Sequence, residues 1–246
     1  MFLRGFKSLF ELKFFPILAA AVIAASVMSS SISAATKNDQ KQTVRVESPV
    51  NIAILIQDDL VSSVANEIRV TSDFIRTLPE GSRVMVGYIT SGSLQVRQPF
   101  TTDLNGAAAS LRVPFSSITT SPYNPYVEVI EALRKFDSQW KGRNVVLLIS
   151  DGLDVSRGFD VSSAGNTLDL HRAIHEATNR DVAVYSFYAP TVGLTSHSHL
   201  AASYGQSSLN RISNETGGRA FFQGLTGFVT FDPYFAQLRR ALNERS

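Results

Sequence analysis

Apolar residues fall along this chain in two kinds of run that take turns. One kind is short and continuous, as in Asn51-Ile52-Ala53-Ile54-Leu55-Ile56 and Val145-Val146-Leu147-Leu148-Ile149. Such runs predict strands buried on both faces, the kind found at the centre of parallel sheets. The other kind is periodic. Val64, Ile68, Thr71, Ile75 and Leu78 are spaced by three and four, which predicts a helix with one apolar stripe, ended by Pro79-Glu80-Gly81.

The alternation continues to the end of the chain. Arg83–Ile89 reads as a second strand, and Ser91-Gly92-Ser93 as a hairpin turn into an antiparallel edge strand, Leu94–Gln98. Asp103 is placed to cap a short helix through Leu111. A further helical stripe starts at Tyr126, takes in Val129, Ile130, Leu133 and Trp140, and closes at Gly142. After the Val145–Ile149 strand come a helix over Thr167–Asn179, a strand over Val182–Phe187 and a loop of Gly, Ser and His. A helix near Ser207–Thr216, a stop at Gly217-Gly218, a short strand Arg219–Phe222 and a helix Tyr234–Asn243 complete the order. Strand and helix alternating in this way predict one α/β domain over residues 49–246. Its sheet is doubly wound, Rossmann-like, mainly parallel and six-stranded, with one antiparallel edge strand and helices on both faces.

The N-terminal residues change the reading of charge. Arg4, Lys7 and Lys13 precede an apolar stretch from Phe14 to Met28, followed by small residues through Ala35. This order predicts an export signal over residues 1–35, cleaved after Ala35. The alternative is an uncleaved N-terminal membrane anchor. Residues 36–48 read as a polar leader. The signal's three bases and its one acid, Glu11, account for the whole chain's net charge of +2, so the remainder is balanced. With no dense Lys/Arg cluster downstream, nucleic-acid binding is excluded. The absence of cysteine removes disulfides, thiolate metal sites and a thiol nucleophile. These features place the mature protein in the periplasm or outside the cell, with no membrane span once the signal is removed.

Candidate chemistry gathers where the two continuous strands end. One runs into Gln57-Asp58-Asp59, the other into Ser150-Asp151-Gly152. In an open α/β sheet, ligands are held at the carboxyl ends of strands. The order of elements, with Arg143–Gly152, Leu168–Pro190 and Leu209–Phe222, resembles the von Willebrand factor type A domain, and within it the bacterial exported branch. The resemblance covers roughly Val50 to Asn243. It implies a doubly wound sheet and adhesion to a protein partner in the envelope or extracellular space, not catalysis.

The resemblance also implies a metal-ion-dependent adhesion site. An Asp-x-Ser-x-Ser loop after the first strand, a Thr from a later loop and an Asp after the fourth strand surround a divalent cation. Asp151 fits the last position. In the first loop, the three registers supply Gln57, Asp59 and Val61; Asp58, Leu60 and Ser62; or Asp59, Val61 and Ser63. None provides all three ligands, and the Thr slot falls near Tyr123, with Thr119, Thr120 and Ser121 close by. The expected site is therefore degenerate: no cofactor, or a single Mg²⁺, Mn²⁺ or Ca²⁺ on Asp58, Asp59 and Asp151. The alternative role for these acids is to cap the following helices.

The expected partner-binding rim comprises Gln57, Asp59, Ser121, Tyr123, Asp151 and Asp154. It draws on the segments Gln57–Val61, Ser116–Tyr126, Asp151–Phe159 and Ala189–Gln206. Two other functions stay open: a structural part of an envelope or secretion assembly, and a hydrolase using Asp58, Asp59 and Asp151. His171 and His175 share a helix face but lack a third zinc ligand, and Arg172 stands where a zincin has Glu. They read as a solvated face, and His197-Ser198-His199 as a polar loop.

Overall fold

The computed structural model describes residues 44–90, 92–117, 123–140, 142–161, 165–224 and 229–244. The residues expected to form an export signal, most of the expected polar leader, Ser91, Thr119, Thr120 and Ser121 lie outside the described residues. In chain order the elements are β1 (Val50–Gln57), α1 (Val64–Arg76), β2 (Arg83–Thr90), β3 (Ser93–Thr101), α2 (Leu104–Ala109), α3 (Pro125–Leu133) and β4 (Arg143–Ser150). They continue as α4 (Leu168–Asn179), β5 (Val182–Tyr188), α5 (Leu194–His197), α6 (His199–Glu215), β6 (Ala220–Phe221) and α7 (Asp232–Glu244).

The sheet has six strands in the order β3-β2-β1-β4-β5-β6. All neighbouring pairs are parallel except β2–β3, so β3 is the antiparallel edge strand the hairpin signal predicts. Side chains of a strand alternate between faces, and the core divides accordingly. Ile52, Ile54, Ile56, Leu147 and Ile149 pack on one face, beneath α1, α2 and α7. Ala53, Leu55, Val146 and Leu148 pack on the other, beneath α3, α4 and α6. The continuous apolar runs exist because β1 and β4 are covered on both sides. Among the described residues no helix is long and apolar enough to cross a membrane.

Besides shifts of a residue or two, such as α2 ending at Ala109 and β6 spanning only Ala220–Phe221, and the short helix α5 in the stretch read as loop, three boundaries differ from expectation. The α3 helix stops at Leu133 rather than reaching Trp140: Arg134 caps it, tight turns follow at Lys135 and Phe136, and the chain turns again at Asp137. The Asp137 carboxylate accepts the Gln139 N–H at 2.9 Å, and Phe136 leaves the helix to meet Phe100 edge-on at 4.8 Å. The β3 strand extends to Thr101 through a register irregularity opposite Val84–Gly87. The stretch before Ser207, read as loop, is helical from His199 onward. Its cap is Ser198, whose hydroxyl accepts the Ala201 N–H at 3.2 Å.

Candidate functional site

The connection after β1 leads outward to β2, and the one after β4 leads the opposite way to β5. Loops that part in this manner open a crevice at the switch point of the sheet. Here it is a cleft of about 140 Å³, walled by Gln57, Asp59, Tyr123, Asp151, Leu153 and Thr191–Leu194. A larger open groove of about 830 Å³ lies between α3 and α4, lined by Ile130, Glu131, Arg134, His171 and His175. Its acids and bases are spaced along the helix surfaces, and the switch-point cleft is where acidic side chains converge.

The loop after β1 is held on two sides. The Asp58 carbonyl accepts the Ser116 N–H at 3.1 Å, and the Asp59 carbonyl accepts the Val192 N–H at 3.0 Å. Leu60 bridges to Thr191, and the Val61 N–H reaches the Pro190 carbonyl at 3.0 Å. Asp58 and Asp59 are thereby driven to different fates. Asp58, 4 % exposed, takes both arms of the Arg112 guanidinium at 2.6 and 2.9 Å, and its Oδ1 also accepts the Phe115 N–H at 3.1 Å. The guanidinium lies between the Tyr88 and Phe115 rings, 4.0 and 4.2 Å from their centroids. Asp58 raises the Arg112 pKa through that contact.

Asp59 enters the cleft. Its Oδ1 accepts a hydrogen bond from Gln57 Nε2 at 2.9 Å. Burial, reinforced by the nearby Asp151 charge, pushes its carboxyl up to about 7. Asp151 is more deeply buried, with Oδ1 on the Leu153 N–H at 3.1 Å and Oδ2 on the Thr195 hydroxyl at 3.2 Å. Burial raises it to about 6, and these hydrogen bonds, together with Gln57 and Thr191, oppose the rise.

Asp151 sits where it does because Gly152 follows it. Gly152 has φ +76°, and α6 passes so closely that a Cβ on Gly205 would be driven into the Asp151 carbonyl oxygen. Tyr126 fixes the same turn from α3, donating its hydroxyl to the Gly152 carbonyl at 2.6 Å. The segment Ala189–Gln206 thus contributes packed helix as well as loop.

The structure gathers Gln57, Asp59, Tyr123 and Asp151 around one cleft. Asp58 faces Arg112 instead. Asp154 lines an adjoining groove with Asp160 and Arg172, where it accepts the Ser156 N–H and hydroxyl. His171 bonds Asn166 and Arg211, and His175 bonds Asn179, all on an exposed face. Arg112 is the functional-site residue that sequence reasoning missed; nothing in its local pattern ties it to an acid 54 positions away.

A hard divalent cation needs about six oxygen ligands. Among the described residues no three His, Cys, Asp or Glu side chains are grouped to hold a metal. Both Asp58 oxygens are engaged, and Gln57 directs an N–H, not an oxygen, at Asp59. These donors do not fit the cation of an adhesion site.

No protein-family profile matches this sequence, and no curated protein matches it by sequence. The fold does have solved counterparts. An aerotolerance-related membrane protein from Bacteroides fragilis, solved with multiple mutations to serines, superposes with TM-score 0.54 at 13 % identity, over 80 % of this chain and 100 % of that one. The conserved hypothetical protein BatB from Bacteroides thetaiotaomicron gives 0.53 at 11 % identity, over 80 % and 98 %. The human COPII-coat protein Sec24c gives 0.52 at 12 % identity, over 81 % of this chain and 32 % of that one. At such identities the likeness is one of fold: this chain has the mostly parallel, Rossmann-like α/β sheet of von Willebrand A-like domains.

Proposed function

We propose that this protein is an exported interaction module that binds another protein through the carboxyl edge of its sheet, without needing a divalent cation and without catalysing a reaction. One observation carries the reading. Leu194, 37 % exposed, lines the switch-point cleft, and the loop that holds the β1 end at Asp58 leaves Phe115 at 71 % and Val113 at 49 % exposure in solvent. Apolar groups around a small polar centre are the makings of a protein contact. The Asp59 carboxylate at that centre favours a partner group bearing N–H donors.

The test is capture from an envelope fraction by the full chain, Phe115→Ala and Asp59→Asn, each with EDTA and with Mg²⁺. A partner retained equally in both buffers and lost with either substitution supports the proposal. Capture that requires Mg²⁺, or that neither substitution disturbs, overturns it. Export is checked by sequencing the N-terminus of the envelope form, which should begin at Thr36. Stable recovery in a fixed assembly would favour the structural-component reading.

A hydrolase is the second reading, favoured by two coupled carboxyls raised to about 7 and about 6 in one cleft. Size weighs against it. Small-molecule pockets run from roughly 300 to 1,000 Å³, and this cleft has about 140 Å³. With Asp58 committed to Arg112, the acid cluster is reduced to a pair. Turnover in a hydrolase screen abolished by Asp151→Asn would restore this reading.

A further inference from the structure

The parallel ladder between β1 and β4 ends at Ile56 and Ile149. Beyond that pair the two chains part, and the backbone no longer ties one loop to the other. The side chain of Gln57, 1 % exposed, makes the connection. Its Oε1 accepts from the Ser150 hydroxyl at 2.5 Å and from the Asp151 N–H at 3.3 Å, and its Nε2 donates to Asp59 at 2.9 Å. Ser150 extends the network by accepting the Gly152 N–H at 2.9 Å. The amide's orientation follows from its neighbours: the Asp151 N–H can only donate, so the oxygen faces it, and the nitrogen is left for the Asp59 carboxylate.

We infer that Gln57 does the cross-linking work a bound cation would do at this sheet edge, drawing the β1 loop and the end of β4 together with a neutral amide. An ion gathers acidic loops by its charge. An amide does so by being donor and acceptor at once, which a carboxylate cannot be. A carboxylate at position 57 would still accept from Ser150, but it would face Asp59 and Asp151 with no donor between them. Three acids would then share a cleft of about 140 Å³, and a divalent cation would become the way to hold them.

The inference deepens the metal-independent reading of the edge, yet its readouts are stability and ion binding. Failure to find a partner leaves it standing. The experiment is thermal unfolding of the full chain, Gln57→Glu and Gln57→Ala, each in EDTA and with excess Mg²⁺, Mn²⁺ or Ca²⁺. The wild-type midpoint should be the same in every buffer. Gln57→Glu, which keeps the length of the side chain, should unfold roughly 5–10 °C lower in EDTA and recover most of that loss with at least one cation. Gln57→Ala should be lowered and recover with none, which separates ion binding from simple loss of a buried contact. A wild-type midpoint that rises saturably with an ion overturns the inference. So does Gln57→Glu that matches wild type in EDTA, or that no ion restores. Should Gln57→Glu not fold in EDTA, refolding from urea with Mn²⁺ decides: recovery supports the inference, and continued failure with every ion overturns it.

Discussion

Removing the charge of Asp59 should stabilise the protein at neutral pH and leave it unchanged in acid. The carboxyl is raised from 3.8 to about 7, by burial first and the Asp151 charge second. Because the folded value exceeds the unfolded one, the fold prefers the protonated form. Stability is therefore full below about pH 4, falls as pH rises toward 7, and stays at its reduced level above that. Each pKa unit corresponds to about 1.4 kcal/mol, so the full shift sets a ceiling of roughly 4 kcal/mol. Asp59 is partly open to solvent, and its repulsion with Asp151 is one energy shared by the pair, which brings the expectation to about 2 kcal/mol. Asp59→Asn keeps an oxygen for Gln57 and removes the charge. Urea unfolding with linear extrapolation should show a gain of about 2 kcal/mol near pH 8 and none near pH 4. A gain of equal size at both pH values, or a loss near pH 8, would refute the argument.

Arg112→Met should cost about 3–5 kcal/mol in urea unfolding, because it leaves the Asp58 carboxylate buried without its counter-charge. Adding Asp58→Asn to that variant should recover much of the loss. Glu128, 3 % exposed on α3, is raised to about 7 by burial and by its neighbour Glu131. With the same sign as Asp59, Glu128→Gln should gain up to about 3 kcal/mol above pH 7 and nothing near pH 4, seen as a pH-dependent shift in midpoint. Gly205→Ala tests the approach of α6 to the cleft. On an open helix it would gain about 1 kcal/mol, but here the new methyl meets the Asp151 carbonyl, so calorimetry should show a loss of roughly 2 kcal/mol or more.

The parts of the fold legible in the sequence were those whose burial needs apolar residues. The β1 and β4 strands face core on both sides, so the positions 52–56 and 145–149 had to be apolar and the runs stood out. The start of α6 did not stand out, for the opposite reason. Its buried positions include Ala201, Ala202, Gly205, Ser208, Leu209 and Ile212, which are spaced as a helical stripe. Gly205 has to be small because the helix lies against the Asp151 carbonyl there, and Ala201, Ala202 and Ser208 add little apolar bulk to the stripe. A run of Ser, Ala, Gly and His therefore read as loop. Trp140 produced the opposite error, meeting the helical period by coincidence after the chain had already turned at Asp137.

The candidate site divides along a similar line. Asp151 was legible because a buried strand ending in Asp-Gly is a local signal, and its partners come from the fold. Arg112 carried no local signal at all: its pairing with Asp58 depends on the 112–116 loop reaching across to β1, which no periodicity encodes. Gln57 falls between the two. Its presence where the resemblance calls for Asp could be read directly, but that departure could mean loss of a ligand or replacement of its function. The difference lies in geometry. Any buried amide must satisfy its oxygen and its nitrogen, so what bears on the question is where the partners lie: here they stand on two diverging loops. Gln57 does satisfy both, with Ser150 and the Asp151 N–H on one side and Asp59 on the other, so the substitution changes how the edge is held together and leaves the edge in place.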